Sequence, residues 1–131
     1  MKGQVSFEYI FVIAVIVSGA YIFLLTAAKE MELSAALTSV RQSINDYESI
    51  NGYRVTIREI NYSQPQSNNV VITVRVLINE TYSASADPNA VSAITYYSLI
   101  GLANTFAKSP FPDTNSTYYQ SSLFNYSIQV V

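Results

Sequence analysis

The sequence predicts an α+β fold in which a long N-terminal helix packs on a small antiparallel β-sheet head that contains one further helix. Three observations carry this prediction. Residues 9–28 form an uncharged, mostly apolar run that continues without proline into an amphipathic stretch. Two later stretches alternate apolar and polar residues, as half-buried strands do. A second helical pattern and a third alternating stretch follow, which gives the element order α-β-β-α-β.

The first helix is predicted to have two parts. Residues 9–28 carry no charge, and a helix of about 20 such residues spans a bilayer core of ~30 Å. After Lys29 the pattern becomes amphipathic, with one apolar stripe. We expect the helix to cover residues 4–50 and to end at the turn signal of Asn51 and Gly52, about 70 Å from its start. The apolar stripe consists of Leu33, Leu37, Val40, Ile44 and Tyr47.

The head, predicted for residues 51–131, begins with two strands. Residues 52–60 and residues 69–78 each alternate apolar and polar side chains. The segment 61–69 between them is polar and contains Pro65, so we predict a hairpin with a long loop. Both strands are expected to bury one face against the apolar stripe of the long helix.

A second helix is predicted to start at Asp87 and Pro88, because aspartate is a good N-cap and proline suits the first turn. Residues 89–108 continue the helical pattern, which two prolines break in segment 109–117. The final strand is predicted over residues 123–131, where apolar and polar side chains alternate. The apolar side of the second helix is expected to contain Ala93, Tyr96, Leu99, Ile100, Ala103 and Phe106.

The composition limits the kinds of function. The 131 residues leave room for one modest domain beside an N-terminal segment. The absence of cysteine and histidine excludes thiolate and imidazole chemistry and His/Cys metal sites. The nine acidic residues are scattered, so a paired-carboxylate site is hard to assemble. A net charge of −2 without a Lys/Arg cluster argues against nucleic acid as a partner. We expect neither an enzyme nor a cofactor.

The N-terminal segment can be interpreted in three ways. A secretory signal would combine Lys2 with the apolar stretch and a small-residue cleavage site at residues 26–28. Its apolar stretch would then exceed the roughly 7–15 residues typical of such signals. A plain membrane anchor fits the length but leaves the polar residues before the stretch unexplained. The third interpretation rests on those polar residues.

The stretch KGQVSFEY resembles the class III signal peptide of archaeal type IV pilins, in particular those whose mature chain begins Gln-x-Ser-x-Glu. Gln4, Ser6 and Glu8 occupy these three positions. The resemblance is confined to residues 1–28, where charge pattern, residue order and the apolar helix agree.

This resemblance implies a leader of residues 1–3, which a prepilin peptidase removes by cleavage between Gly3 and Gln4. The processed subunit would wait in the cytoplasmic membrane. An assembly ATPase and a membrane platform would then polymerise it into a helical surface filament through residues 9–28, with the head outside the cell. Adhesion is the usual purpose of such filaments.

The resemblance also implies a role for Glu8, which would be the fifth residue of the mature chain. Cleavage before Gln4 creates an α-amino group that is mostly protonated at neutral pH. In a filament this ammonium can pair with Glu8 of a neighbouring subunit, inside a bundle where an unpaired carboxylate would be expensive. The alternative is that Glu8 only interacts with the positive end of the helix dipole.

Two other functions remain open at this point. The chain could be a single-span membrane protein whose extracellular head binds a ligand without polymerising. It could also be a filament subunit of the archaellum type, which shares the leader class but generally lacks the Gln-x-Ser-x-Glu start.

Four segments match the Asn-x-Ser/Thr acceptor of N-glycosylation, and all four lie in the head. Asn115, in a segment bounded by prolines, is the best candidate. Asn125 is expected to point away from the apolar face of its strand, where a glycan has room. The four acceptors are Asn61, Asn79, Asn115 and Asn125.

Overall fold

The computed structural model describes residues 2–51, 54–80 and 82–131. The elements are α1 (Lys2–Asn51), β1 (Val55–Gln66), β2 (Asn69–Ile78), β3 (Tyr82–Ser83), a 3₁₀ turn (Ala84–Ala86), α2 (Pro88–Phe106), β4 (Tyr118–Gln120) and β5 (Asn125–Val130). The predicted order α-β-β-α-β is confirmed, with β3 and β4 as additional short strands. The predicted helix stop at Gly52 lies outside the described residues, as does the first apolar strand position, Tyr53.

The chain forms two compact units, Met1–Leu33 and Ser34–Val131. The first unit consists of the N-terminal part of α1. This helix contains a stretch that is long and apolar enough to cross a membrane, a criterion of length and composition that an N-terminal signal sequence would also meet. The predicted transmembrane helix is thus supported at that level.

The second unit contains the rest of α1, from Ser34 onward, together with the sheet and α2. This part of α1 buries the predicted stripe at Val40, Ile44 and Tyr47. Ala36 is buried as well, whereas Leu37 is only half-buried. The amphipathic pattern therefore identified the packed side of the helix correctly.

The sheet has the strand order β1-β2-β5-β4, and β3 pairs with β2. It is mixed rather than purely antiparallel as predicted, because β2 and β5 run parallel, with Asn69 opposite Asn125 and Val74 opposite Val130. The pairs β1–β2 and β4–β5 are antiparallel. The parallel pair arises because α2 lies between β2 and β5 in the chain and returns it to the same end of the sheet, as crossover connections do.

The link between β1 and β2 is shorter than predicted. Strand β1 continues to Gln66, which pairs with Asn69, so only two residues form the turn. Pro65 lies within this strand, although proline cannot donate a ladder hydrogen bond. It is tolerated because β1 is an edge strand of the sheet. The polar residues 61–66 are exposed along that edge.

The core lies between one face of the sheet and the two helical segments of the second unit. Alternate residues of β2 are buried as predicted, while the residues between them are half-buried or exposed. Phe106 of α2 stacks on Tyr126, with ring centroids 5.9 Å apart, and also faces Tyr119. The buried residues of β2 are Val70, Ile72, Val74, Val76 and Ile78.

Helix α2 starts as predicted. The Asp87 Oδ1 accepts hydrogen bonds from the backbone N–H groups of Asn89 (3.0 Å) and Ala90 (3.3 Å). The helix ends at Phe106, and Ala107 closes it in the left-handed conformation with φ of 52°.

The buried side of α2 is rotated from the predicted one. Leu99 and Ala103 are buried as expected, but Phe106 is half-buried. The reason is that α2 contacts two partners at once, the sheet through Phe106 and helix α1 through Gly101. Three other predicted residues are half-buried rather than buried: Ala93, Tyr96 and Ile100. The buried side is completed by Ala90, Ile94, Ser98 and Leu102.

Candidate functional site

The sequence motif at the start of α1 is accessible. Gly3, Gln4, Ser6 and Glu8 are all exposed within the first two turns of the helix. A Cβ built on Gly3 would have no atom within 4 Å. Among the described side chains, none forms an ion pair with Glu8. Gly3, Gln4 and the Glu8 carboxylate are therefore all exposed on the helix surface.

Gln4 and Glu8 share one face of the helix. They are four residues apart, which places them one turn apart, about 6 Å along the axis. An ammonium created on Gln4 by cleavage would consequently lie near a carboxylate of its own chain as well as near any neighbour that packs there. This arrangement can attract a positive charge.

Residues 9–26 form a continuous exposed surface that is uncharged and mostly apolar. Every residue in this range is exposed, with Tyr9 at 67% and Phe23 at 72% of their full accessible area. The exposed large residues include four in succession, from Tyr9 to Val12. Successive residues of a helix are about 100° apart, so these four alone cover its whole circumference. A helix that is apolar on all sides needs burial in lipid or against other chains.

Three of the four predicted glycan acceptors lie on the surface. Asn61 is exposed on β1, where its side-chain amide donates to Glu59. Asn79 is exposed in the turn after β2, and its Oδ1 accepts a hydrogen bond from the Arg54 backbone N–H at 3.1 Å. The third residue of this acceptor, Thr81, lies outside the described residues.

Asn115 and Asn125 have opposite environments. Asn115 is exposed in a turn where its N–H donates to Asp113 Oδ1 at 2.9 Å. Asn125 lies on β5, between β2 and β4, and is half-buried. Its Oδ1 is shielded from solvent and has no hydrogen-bond partner among the described residues. A glycan would have little room there, so the environment favours Asn115 over Asn125.

The outer face of the sheet carries an ion pair in a shallow groove. Arg75 Nη1 lies 3.7 Å from Glu59 Oε2, and both side chains are at least half-exposed. Arg58 lines the same groove. Exposed pairs of this kind contribute about 0–1 kcal/mol. Within the described ranges, no group of three or more His, Cys, Asp and Glu residues could hold a metal ion.

A second groove, beside β4, was also not predicted from the sequence. Its volume is about 190 Å³. Phe111 and Tyr118, which line it, are 54% and 57% exposed. The signal that could have indicated it is a pair of aromatic residues flanking a proline-bounded polar turn. The groove is lined by Pro110, Phe111, Pro112, Ser116, Thr117, Tyr118, Tyr119 and Gln120.

Comparisons of the chain with protein-family models, with curated proteins and with solved structures find no match.

Proposed function

We propose that this chain is a structural subunit of an archaeal type IV pilus-like surface filament, which polymerises through its N-terminal apolar helix and serves adhesion. The observation that supports the proposal best is the exposed helix surface of residues 9–26, which is uncharged and mostly apolar around its whole circumference. The Gln-x-Ser-x-Glu motif lies directly at its start. A membrane anchor alone explains the apolar surface, whereas a filament explains both features.

In this proposal the apolar helix has two environments in succession. Lipid covers it while the subunit waits in the membrane, and neighbouring helices cover it in the filament. Lipid is as apolar as a helix bundle, so the transfer gains little from the hydrophobic effect. Side-chain packing and polar pairing must therefore favour the filament, and the membrane-bound ATPase and platform supply the work of extraction.

Glu8 supplies the polar pairing. Once Gln4 is the first residue, its ammonium and the Glu8 carboxylate of a neighbour neutralise each other as water is excluded. The ammonium of the same chain lies about one helical turn from Glu8. Glu8 can therefore pair with it before assembly and exchange it for the ammonium of a neighbouring subunit during assembly. This exchange would fix the axial register of each arriving subunit.

The second unit would form the outer surface of the filament and carry the adhesive contacts. Its exposed acceptors Asn61, Asn79 and Asn115 would face the medium, where glycosylation is possible. A non-polymerising membrane protein with a ligand-binding head is the second candidate. The groove at Phe111 and Tyr118 favours it, since a binding head needs a concave site.

The deciding experiment is electron microscopy of three strains. The first carries the gene, the second lacks it, and the third lacks it but expresses it again from a plasmid. We expect filaments in the first and third strains and none in the second. Purified filaments should contain this chain as shown by mass spectrometry. Identical filaments in all three strains, with the chain confined to the membrane fraction, would favour the non-polymerising alternative.

A further inference from the structure

The groove beside β4 is held in shape by the residues around it. Tyr119 is buried, and its hydroxyl accepts a hydrogen bond from the Lys108 N–H and donates one to the Lys108 carbonyl oxygen, both at 3.0 Å. The Lys108 ammonium also donates to the Ser121 carbonyl oxygen at 3.2 Å. These hydrogen bonds join the two ends of the segment between α2 and β4. Because the segment is already ordered, less conformational entropy is lost when a ligand binds.

The middle of the same segment is braced as well. The Ser116 hydroxyl accepts from the Asp113 N–H at 2.9 Å and donates to Asp113 Oδ1 at 3.1 Å. The Ser116 N–H donates to the Asp113 carbonyl oxygen at 3.1 Å. Pro112, the residue just before this turn, is buried. The exposed rings of Phe111 and Tyr118 are therefore presented by a rigid loop.

We propose that this groove binds a single neutral sugar residue. Its lining combines two exposed aromatic rings with the hydroxyl of Thr117 and the amide of Gln120, and none of the lining side chains is a carboxylate, ammonium or guanidinium. The C–H-rich face of a pyranose packs on the electron-rich face of an aromatic ring. Hydroxyl and amide groups can donate to and accept from sugar hydroxyls. An uncharged ligand matches this uncharged lining.

The size of the groove limits the ligand. Pockets for drug-sized molecules usually measure about 300–1,000 Å³, whereas this one measures about 190 Å³. One sugar ring fits, and the rest of a longer saccharide would lie outside. The sugar can come from two sources, since Ser116 and Thr117 belong to the glycan acceptor that begins at Asn115. It is either a sugar of a glycan on Asn115 or a saccharide from elsewhere.

The test uses the full chain made in a bacterial host that does not glycosylate it, held in micelles of a detergent without a sugar headgroup. Binding is measured on an array of neutral mono- and oligosaccharides, and NMR titration gives the dissociation constants of those that bind. We expect at least one neutral saccharide to bind. Phe111→Ala and Tyr118→Ala should each weaken this binding about twofold to tenfold.

Tyr62→Ala is the matched control, because Tyr62 is an exposed aromatic residue, at 47%, on the β1 edge and outside the groove. It should leave binding unchanged, and Phe111→Tyr should retain binding because it keeps the ring. Near-UV circular dichroism verifies folding, and Gln120→Ala gives an independent weakening should an aromatic variant misfold. The proposal is overturned if no neutral saccharide binds, or if the groove variants bind as tightly as Tyr62→Ala.

A second comparison identifies the source of the sugar. Chains purified from the native host, with and without Asn115→Gln, are titrated with the saccharide found above. Tighter binding by the Asn115→Gln chain identifies the chain's own glycan as the occupant, and equal binding identifies a saccharide from outside. Neither result depends on filament formation, because single chains are measured. If the purified chain binds a saccharide but its cells make no filaments, the filament function is refuted and the sugar site still stands.

Discussion

Gly101 of α2 lies so close to Ser43 of α1 that a Cβ on Gly101 would meet the Ser43 Oγ at 1.8 Å and the Ser43 Cβ at 2.9 Å. The Ser39 carbonyl oxygen would be 3.1 Å away. One turn further along α2, the hydroxyls of Thr105 and Ser39 form a hydrogen bond of 2.6 Å. The two helices therefore cross with their backbones in close approach, and glycine is what permits it.

Gly101→Ala should destabilise the second unit. Alanine favours the helix by about 0.8–1 kcal/mol over glycine, but overpacking costs about 1–3 kcal/mol. The cost should dominate because two of the three close atoms are a Cβ and a backbone oxygen, which cannot rotate away. We expect the free energy of unfolding to fall by about 1 kcal/mol, measured by urea unfolding followed by near-UV circular dichroism.

Two companion variants make this prediction specific. Gly19→Ala should leave the unfolding midpoint unchanged, since a Cβ there has no atom within 4 Å and Gly19 belongs to the first unit. Combining Gly101→Ala with Ser43→Gly should show favourable coupling, because it relieves the contact. A Gly101→Ala chain as stable as the parent would contradict the close crossing.

Tyr119→Phe should loosen the loop that carries the groove. The phenol makes two hydrogen bonds to the Lys108 backbone, and its loss leaves both backbone groups without these partners. Unsatisfied groups cost about 1–3 kcal/mol, and water access to this partly buried site places the expected loss near 1 kcal/mol. Hydrogen exchange at the Lys108 amide should accelerate accordingly.

Tyr118→Phe is the control for that variant. Tyr118 is the neighbouring residue, but its side chain is 57% exposed. Loss of the Tyr118 hydroxyl should leave the free energy of unfolding and the hydrogen exchange of the Lys108 amide unchanged. Equal effects of the two variants would show that the tie between Tyr119 and Lys108 does not hold the loop.

The features predicted correctly from the sequence are those that depend on local periodicity. The stripe at Val40, Ile44 and Tyr47 and the alternation in β2 follow directly from a helix period of 3.6 and a strand period of 2. The cap at Asp87 follows from the preference of a short acidic side chain for free N–H groups. Each of these features is determined by residues near in sequence.

The features that were missed depend on contacts between distant residues. The direction of β5 is decided by its pairing with β2 across α2, and Pro65 stays in a strand because β1 lies at the edge of the sheet that the described residues form. The groove exists because Tyr119 fixes Lys108, eleven residues earlier in the chain. No periodic pattern in the sequence encodes such a tie.

The mature chain purified from its own cell should begin at Gln4. The proposed peptidase must fit a small side chain at the cleavage point, where Gly3 is exposed. Gly3→Val should therefore block cleavage and leave the full-length chain in the membrane. Intact-mass analysis distinguishes the two forms. A native chain that begins at Lys29 would establish a secretory signal and end the filament proposal.

Glycopeptide mass spectrometry should find Asn115 modified, and Asn125 unmodified, if the host glycosylates exported proteins. The first side chain is exposed, whereas the second has a buried Oδ1 and lies on a strand paired on both sides. A glycan on Asn125 of the folded protein would contradict the half-buried environment of this side chain. Unmodified Asn115 beside a modified Asn61 would count against the exposure of the Asn115 turn.

Glu8→Gln separates the filament from the anchor. The substitution keeps the shape of the side chain and removes its charge, so in a filament the ammonium of Gln4 would lose its counter-ion. Removing one partner of a buried ion pair costs about 3–5 kcal/mol, although hydration near the helix start would lower this value. We therefore expect surface filaments to disappear or become rare by electron microscopy in cells that make only the variant.

The level of the variant in the membrane provides the control. The second unit should fold normally, because it begins at Ser34 and Glu8 belongs to the first unit. Immunoblots of the membrane fraction should consequently show near-normal amounts, and Glu30→Gln, which removes an exposed charge beyond the apolar stretch, should leave filaments intact. In a plain anchor Glu8 interacts only with the helix dipole, and its replacement would have no surface phenotype. Filaments of normal number on cells that make only the Glu8→Gln chain would rule out the pairing of Glu8 with a neighbour's ammonium.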